Sequence, residues 1–298
     1  MGGAWRTQPE RGSPAAIALM SWLTVKCGRS ATRWLLTPIC LYYAAFAPSA
    51  RRASLAFLER ALKRKPGIGD VLRHQHAFAS TLHDRLFFVS GQLASLKVST
   101  SGAEAVDRVL ANGRGCILVG SHLGSFEVLR TLGRMGGKTV NVVMHEANAR
   151  KMQAAFARIA PELQARVISS GHAGAMLRIK ECLERGEIIG ILGDRVVGGE
   201  RASMRPFLGR SALFPLGPWL LAAALGVPVA LFFGLYGGDD RYDVRFELVS
   251  EGGELPRSER NAIAEHWLGH YVARLEHYAR AAPYNWFNFY DFWDASRA

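Results

Sequence analysis

The chain has 298 residues, enough to bury a full core as one large domain with an appended segment. Its four cysteines, Cys27, Cys40, Cys116 and Cys182, show no paired close spacing, which argues against a disulfide framework or zinc site and for reduced, packing thiols. The formal net charge of +12 is concentrated: residues 26–65 carry nine basic side chains against one acid, Glu59, and no zinc-finger or RNA-binding signature comes with them, so nucleic acid is not the expected partner.

In chain order, residues 1–14 are polar and glycine-rich and read as a disordered N-terminus. Residues 15–66 read as a basic, aromatic helical segment. Its run 34–47 holds Trp34, Leu36, Ile39, Tyr42, Tyr43 and Phe46 between basic flanks, the composition of a helix lying in a bilayer interface. A helix over that run would be roughly 21 Å long against a hydrocarbon core of about 30 Å. Pro38 interrupts it, so in-plane or re-entrant attachment is expected rather than a span; a helix buried in the soluble domain is the plainer alternative. No small-residue cleavage site follows the apolar stretch 15–25, so a signal peptide is not expected. Pro66-Gly67-Ile68-Gly69 is a break, and 67–298 reads as the catalytic domain.

Within that domain the pattern predicts a helix over 70–93, a strand over 116–119, a helix over 125–135 and a strand over 139–144. A helix over 148–159, a short strand over 166–169, a helix over 175–185 and a strand over 188–192 follow. A helix over 215–225 precedes two paired strands, 228–236 and 242–248, around Gly237-Gly238-Asp239-Asp240. The last helix is predicted over 258–281 with Ser258 as its N-cap. This alternation argues an α/β fold: a mostly parallel sheet flanked by helices, with some antiparallel edge.

Two strand ends carry the chemistry. Gly120-Ser121-His122-Leu123-Gly124-Ser125-Phe126-Glu127 follows the apolar run Cys116-Ile117-Leu118-Val119. A histidine can take a proton from a hydroxyl near neutral pH, and a carboxylate can fix its tautomer. The carboxyl end of a strand is where open α/β sheets bind ligands. Gly190-Ile191-Leu192-Gly193-Asp194-Arg195 repeats this logic, and two such ends in one sheet can converge. Each pair alone also fits a satisfied structural histidine or a surface turn.

Downstream, Arg205-Pro206-Phe207-Leu208-Gly209 and Phe214-Pro215-Leu216-Gly217-Pro218 could line a narrow apolar channel or form a packed loop. No Gly-x-Ser-x-Gly elbow, phosphate loop or dinucleotide fingerprint is present. His266 and His270, four apart on the last helix, lack the metalloprotease glutamate, so no metal is expected and the exposed helix face is the default. The segment Tyr284–Trp293 has seven aromatics in ten residues and should either pack across the domain or join the basic segment on a membrane.

In their order, these motifs resemble the bacterial lipid A biosynthesis (late) acyltransferase family, within the lysophospholipid and glycerolipid acyltransferase group. The resemblance runs from about Trp34 to Pro283 and rests most on His122 and Glu127 as a His-x4-Glu signature. It also includes Gly193-Asp194, the Pro-Phe-Leu-Gly stretch and the Phe-Pro-x-Gly-Pro helix start. The sequence Val143-Met144-His145-Glu146-Ala147-Asn148 and the aromatic tail depart from the family pattern, which points to a divergent member.

The resemblance implies a membrane-associated acyltransferase at the cytoplasmic face of a bacterial inner membrane. It would move an acyl chain from an acyl carrier protein or coenzyme A thioester, with no bound cofactor, to a hydroxyl or amine of a lipid or glycolipid acceptor. His122 would be the general base and Glu127 would orient it. Backbone N–H groups near Gly124 and Ser125, and more weakly Arg195, would meet the oxyanion. Ser121, Asp194, Phe207 and Gly209 complete the expected substrate-binding set. A hydrolase using the same two residues on a lipid ester, and a non-catalytic lipid-binding protein, are the rival classes.

Overall fold

The computed structural model describes residues 14–145, 166–170, 173–197 and 199–294. The predicted disordered N-terminus, apart from Pro14, and the predicted helix over 148–159 lie outside them. Helices α1 (Pro14–Thr32), α2 (Leu36–Phe46) and α3 (Pro48–Leu62) come first, with a 3₁₀ turn over Arg33–Leu35. α1 is kinked at Gly28. α4 (Ile68–Ser90), β1 (Lys97–Ser101), α5 (Ala103–Leu110), β2 (Cys116–Gly120), α6 (Glu127–Met135), β3 (Val140–His145) and β4 (Val167–Ser170) follow. Next come α7 (Ala173–Glu184), β5 (Ile188–Leu192), β6 (Ala202–Phe207), β7 (Arg210–Pro215), α8 (Gly217–Leu225), β8 (Val229–Tyr236), β9 (Arg241–Ser250) and α9 (Arg260–Ala281).

The main sheet has the order β1-β9-β8-β2-β5-β3-β4, all neighbours parallel except the β8–β9 hairpin. β2 is buried along its whole length, and its period of two splits it between the two faces. Ile117 and Val119 join one core with α8, α9 and Phe57 and Leu58 of α3. Cys116 and Leu118 join a second core with Phe87 and Phe88 of α4 and Val128 and Leu129 of α6. β6 and β7 form a separate antiparallel hairpin where a loop or channel was expected. The final helix starts at Arg260 with Glu259 before it, and no side chain caps it.

The basic N-terminal helices are tied into the domain. The buried Arg29 guanidinium donates to both oxygens of Asp84 at 2.7 and 2.9 Å, and Tyr242 donates to the same carboxylate at 2.8 Å. Thr32 lies 2.8 Å from His83. Outward, α1 to α2 present Trp34 at 82 %, Phe46 at 65 % and Tyr42 at 57 % exposure. Among the described residues no helix is long and apolar enough to cross a membrane.

A second tie is Ser54 of α3 to His74 of α4, 2.8 Å apart and both fully buried. Burial lowers the His74 pKa to about 4, its contact with the Trp286 carbonyl only partly opposing this. Because the folded value lies below the free one, the unfolded chain takes up the proton first. The stability from a neutral His74 is complete above about pH 6.5 and is lost as pH falls towards 4, in all roughly 3 kcal/mol. In acid titrations of stability, His74→Gln should therefore flatten the slope in this window; an unchanged slope would show that His74 is not the group responsible.

Candidate active site

The site is built by strand register. β2 and β5 run parallel with Gly120 opposite Leu192, so the chain two residues beyond each strand brings His122 beside Asp194. Gly193 N–H donates to the Gly120 carbonyl at 2.9 Å and continues the pairing past the strand ends. His122 Nδ1 lies 2.8 Å from Asp194 Oδ1, and His122 main-chain N–H donates to Oδ2 at 3.0 Å. The indole N–H of Trp286 donates to that same Oδ2, also at 3.0 Å.

Asp194 is buried, and burial alone would raise its carboxyl pKa. The charge and hydrogen bonds of His122, with the charge of Arg195, outweigh that and hold it at about 2. A carboxylate that stays ionised fixes the proton of neutral His122 on Nδ1 and leaves Nε2 as the basic nitrogen. The His122 side chain keeps 31 % exposure. Its pKa is lowered, first by desolvation and then by Arg195, with Asp194 opposing both. This direction favours the neutral ring.

Glu127 stands elsewhere. It opens α6, on the sheet face that α6 shares with α4, and its carboxylate accepts from Arg85 of α4 at 2.6 Å, with Arg130 3.9 Å away. The chain between His122 and Glu127 turns through Gly124 at φ +73°, where a Cβ would sit 1.9 Å from the Gly234 carbonyl oxygen, so only glycine fits. That turn sends the histidine towards β5 and the glutamate towards α4. The carboxylate that contacts His122 is Asp194, 72 residues away in sequence.

The expected oxyanion donors are already engaged. Gly124 N–H donates to the Asn285 carbonyl at 2.8 Å and Ser125 N–H to the Gly234 carbonyl at 2.7 Å. Arg195 donates to the Phe287 carbonyl at 2.8 Å and lies over the Tyr290 ring, while its charge still acts on His122 and Asp194. Ser121 is buried directly after β2. Phe207 is fully buried among Phe214, Trp286, Phe292 and Trp293, so the chain's own aromatics fill the space where a channel was expected. Gly209 is an exposed turn residue: Leu208 and Gly209 both have positive φ and form the two-residue turn of the β6–β7 hairpin. His266 and His270 are exposed on α9, and among the described residues no cluster of metal-ligating side chains occurs.

The aromatic segment after α9 packs across the domain and walls the site. Trp286 bridges to Leu123, Phe287 N–H donates to the His122 carbonyl at 2.8 Å, and the Asn285 side chain pairs with the Tyr236 backbone. Composition marked this segment as packed, but nothing in its sequence singled out Trp286 as a partner of Asp194.

A histidine is thus held through its Nδ1 by a buried carboxylate where two parallel strands end. No curated protein matches the sequence. A family model described as bacterial lipid A biosynthesis acyltransferase matches residues 79–288, a stretch that contains His122, Glu127, Asp194 and Trp286, and the chain belongs to that family.

Proposed function

We propose that the protein transfers a fatty acyl group from an acyl thioester, on acyl carrier protein or coenzyme A, to a hydroxyl or amine of a lipid acceptor at a membrane surface. The observation that carries this reading is the 2.8 Å contact of His122 with Asp194 at the ends of β2 and β5, in a chain of an acyltransferase family. His122 Nε2 takes the acceptor proton as the acceptor oxygen or nitrogen bonds to the thioester carbonyl carbon. Asp194 keeps the ring oriented and stabilises the imidazolium. When the tetrahedral intermediate collapses, the carbon–sulfur bond breaks and the imidazolium proton passes to the departing thiolate. No acyl-enzyme is needed, which accords with the absence of an elbow serine.

Arg195 supplies positive charge near the developing oxyanion. Glu127 acts at one remove, anchoring the first turn of α6 to α4 through Arg85. The exposed Trp34, Tyr42 and Phe46, next to a basic N-terminal segment, suit a helix seated in an anionic membrane surface.

The test supplies purified protein with an acyl-coenzyme A or acyl carrier protein thioester, with and without bacterial membrane lipids in anionic vesicles. Thiol release that depends on the lipid, yields an acylated lipid and weakens as salt is raised is expected. Equal thiol release without lipid would make the protein a hydrolase, and none with either donor would remove the thioester from the reaction.

A further inference from the structure

We infer that Trp286 is a positioning residue for the reaction, acting on His122 through Asp194. This rests on the role of His122 as general base. Three donors from two separate stretches of chain converge on the buried Asp194 carboxylate. His122 Nδ1 meets Oδ1 at 2.8 Å, while His122 main-chain N–H and the Trp286 indole N–H share Oδ2 at 3.0 Å each. The two donors on Oδ2 fix the plane of the carboxylate, so Oδ1 is aimed at the imidazole.

The indole is itself held in place. Its ring is 1 % exposed and packs on Phe57, Phe207 and Phe292 with centroids 4.8 to 5.1 Å apart. The Trp286 carbonyl lies 2.9 Å from His74 Nε2, and the flanking backbone bonds run to Gly124 and His122. A residue held only for packing would not need its N–H on the functional carboxylate. Trp293 provides the contrast within the same cluster: it is nearly as buried, but its indole N–H donates to the Phe207 carbonyl at 3.2 Å and does not contact Asp194.

The titratable neighbours of the pair are Arg195, Tyr271 and Tyr290. Tyr271 is raised well above its ordinary value by burial and Tyr290 is pushed up to about 12, also by burial. Both phenols stay neutral in acid. His74, which meets the Trp286 carbonyl, is present in the wild type and in both variants, so a limb that moves in Trp286→Phe alone reports the His122–Asp194 pair.

The test compares Trp286→Phe with Trp293→Phe in the thioester-to-lipid assay, with His122→Ala alongside. Trp286→Phe should lower kcat about tenfold with KM for the thioester little changed. It should also move the acid limb to higher pH, because a carboxylate with one donor fewer holds the imidazolium more tightly. Trp293→Phe should leave kcat and the limb unchanged, because its indole N–H does not reach Asp194; loss of folded protein alone would lower activity at every pH without moving the limb. Matching kcat and acid limb in the two variants would overturn the inference. Activity retained in His122→Ala would instead overturn the assignment of the base, and this inference with it.

Should Trp286→Phe fail to fold, the wild-type chain decides. With ¹⁵N-labelled tryptophan, the Trp286 indole N–H resonance should titrate with the midpoint of the acid limb, and a resonance flat across that limb would overturn the proposal.

Discussion

Asp194→Asn is expected to leave the chain folded and to lower the acyl-transfer rate by about 10⁴-fold, as when the carboxylate behind a catalytic histidine is made an amide. The ionised carboxylate accepts from Nδ1–H and so keeps Nε2 unprotonated. An amide can present its NH₂ to Nδ1 instead, which selects the tautomer with hydrogen on Nε2 and blocks the nitrogen that must take the proton. Glu127→Gln serves as the comparison. Its carboxylate is held by Arg85, so neutralising it should slow the reaction far less. Steady-state kinetics on the two variants decides between the carboxylates: equal losses would return Glu127 to the place beside His122 that the His-x4-Glu spacing suggests.

His122→Ala should lose about 10²–10⁴-fold in rate, the range for removal of a general base. Its circular dichroism and melting temperature should stay near wild type, because the ring is part-exposed beyond the carboxyl end of β2 and is not a core element. The two substitutions act on one unit, so Asp194→Asn added to His122→Ala should cost almost nothing further. Full additivity in that double variant would mean that Asp194 works independently of the histidine.

The strands around the site were legible because β2, β5 and β8 are uninterrupted apolar runs. The expected 188–192 strand matches β5, and the hairpin expected around Gly237–Asp240 is the β8–β9 pair. Strand pairing is a different kind of information. That β5 lies beside β2 depends on helices crossing over both sheet faces, and no local pattern encodes that Gly120 meets Leu192. Proximity in sequence therefore points to Glu127 as the partner of His122, even though Asp194 stands at a second strand end.

Other misses have local causes. β1 is a short edge strand, Lys97-Val98-Ser99-Thr100-Ser101, mostly exposed and too polar to stand out. The β6–β7 hairpin was hidden by Pro206 within β6 and by its turn, where Leu208 takes a positive φ usually supplied by asparagine or aspartate. The resemblance did see past these gaps, since it depends on motif order and not on strand pairing.

The strap that carries Trp286 is also a late-made part of the fold: it is translated after all seven strands of the sheet and after α9. A nascent chain can thus complete its sheet while the Asp194 carboxylate still lacks its indole donor and the His122 loop its backbone partners at Asn285 and Phe287. Since synthesis runs from the N-terminus, the basic N-terminal helices emerge from the ribosome well before this site is complete. Under the proposed function, attachment through those helices therefore precedes activation in time.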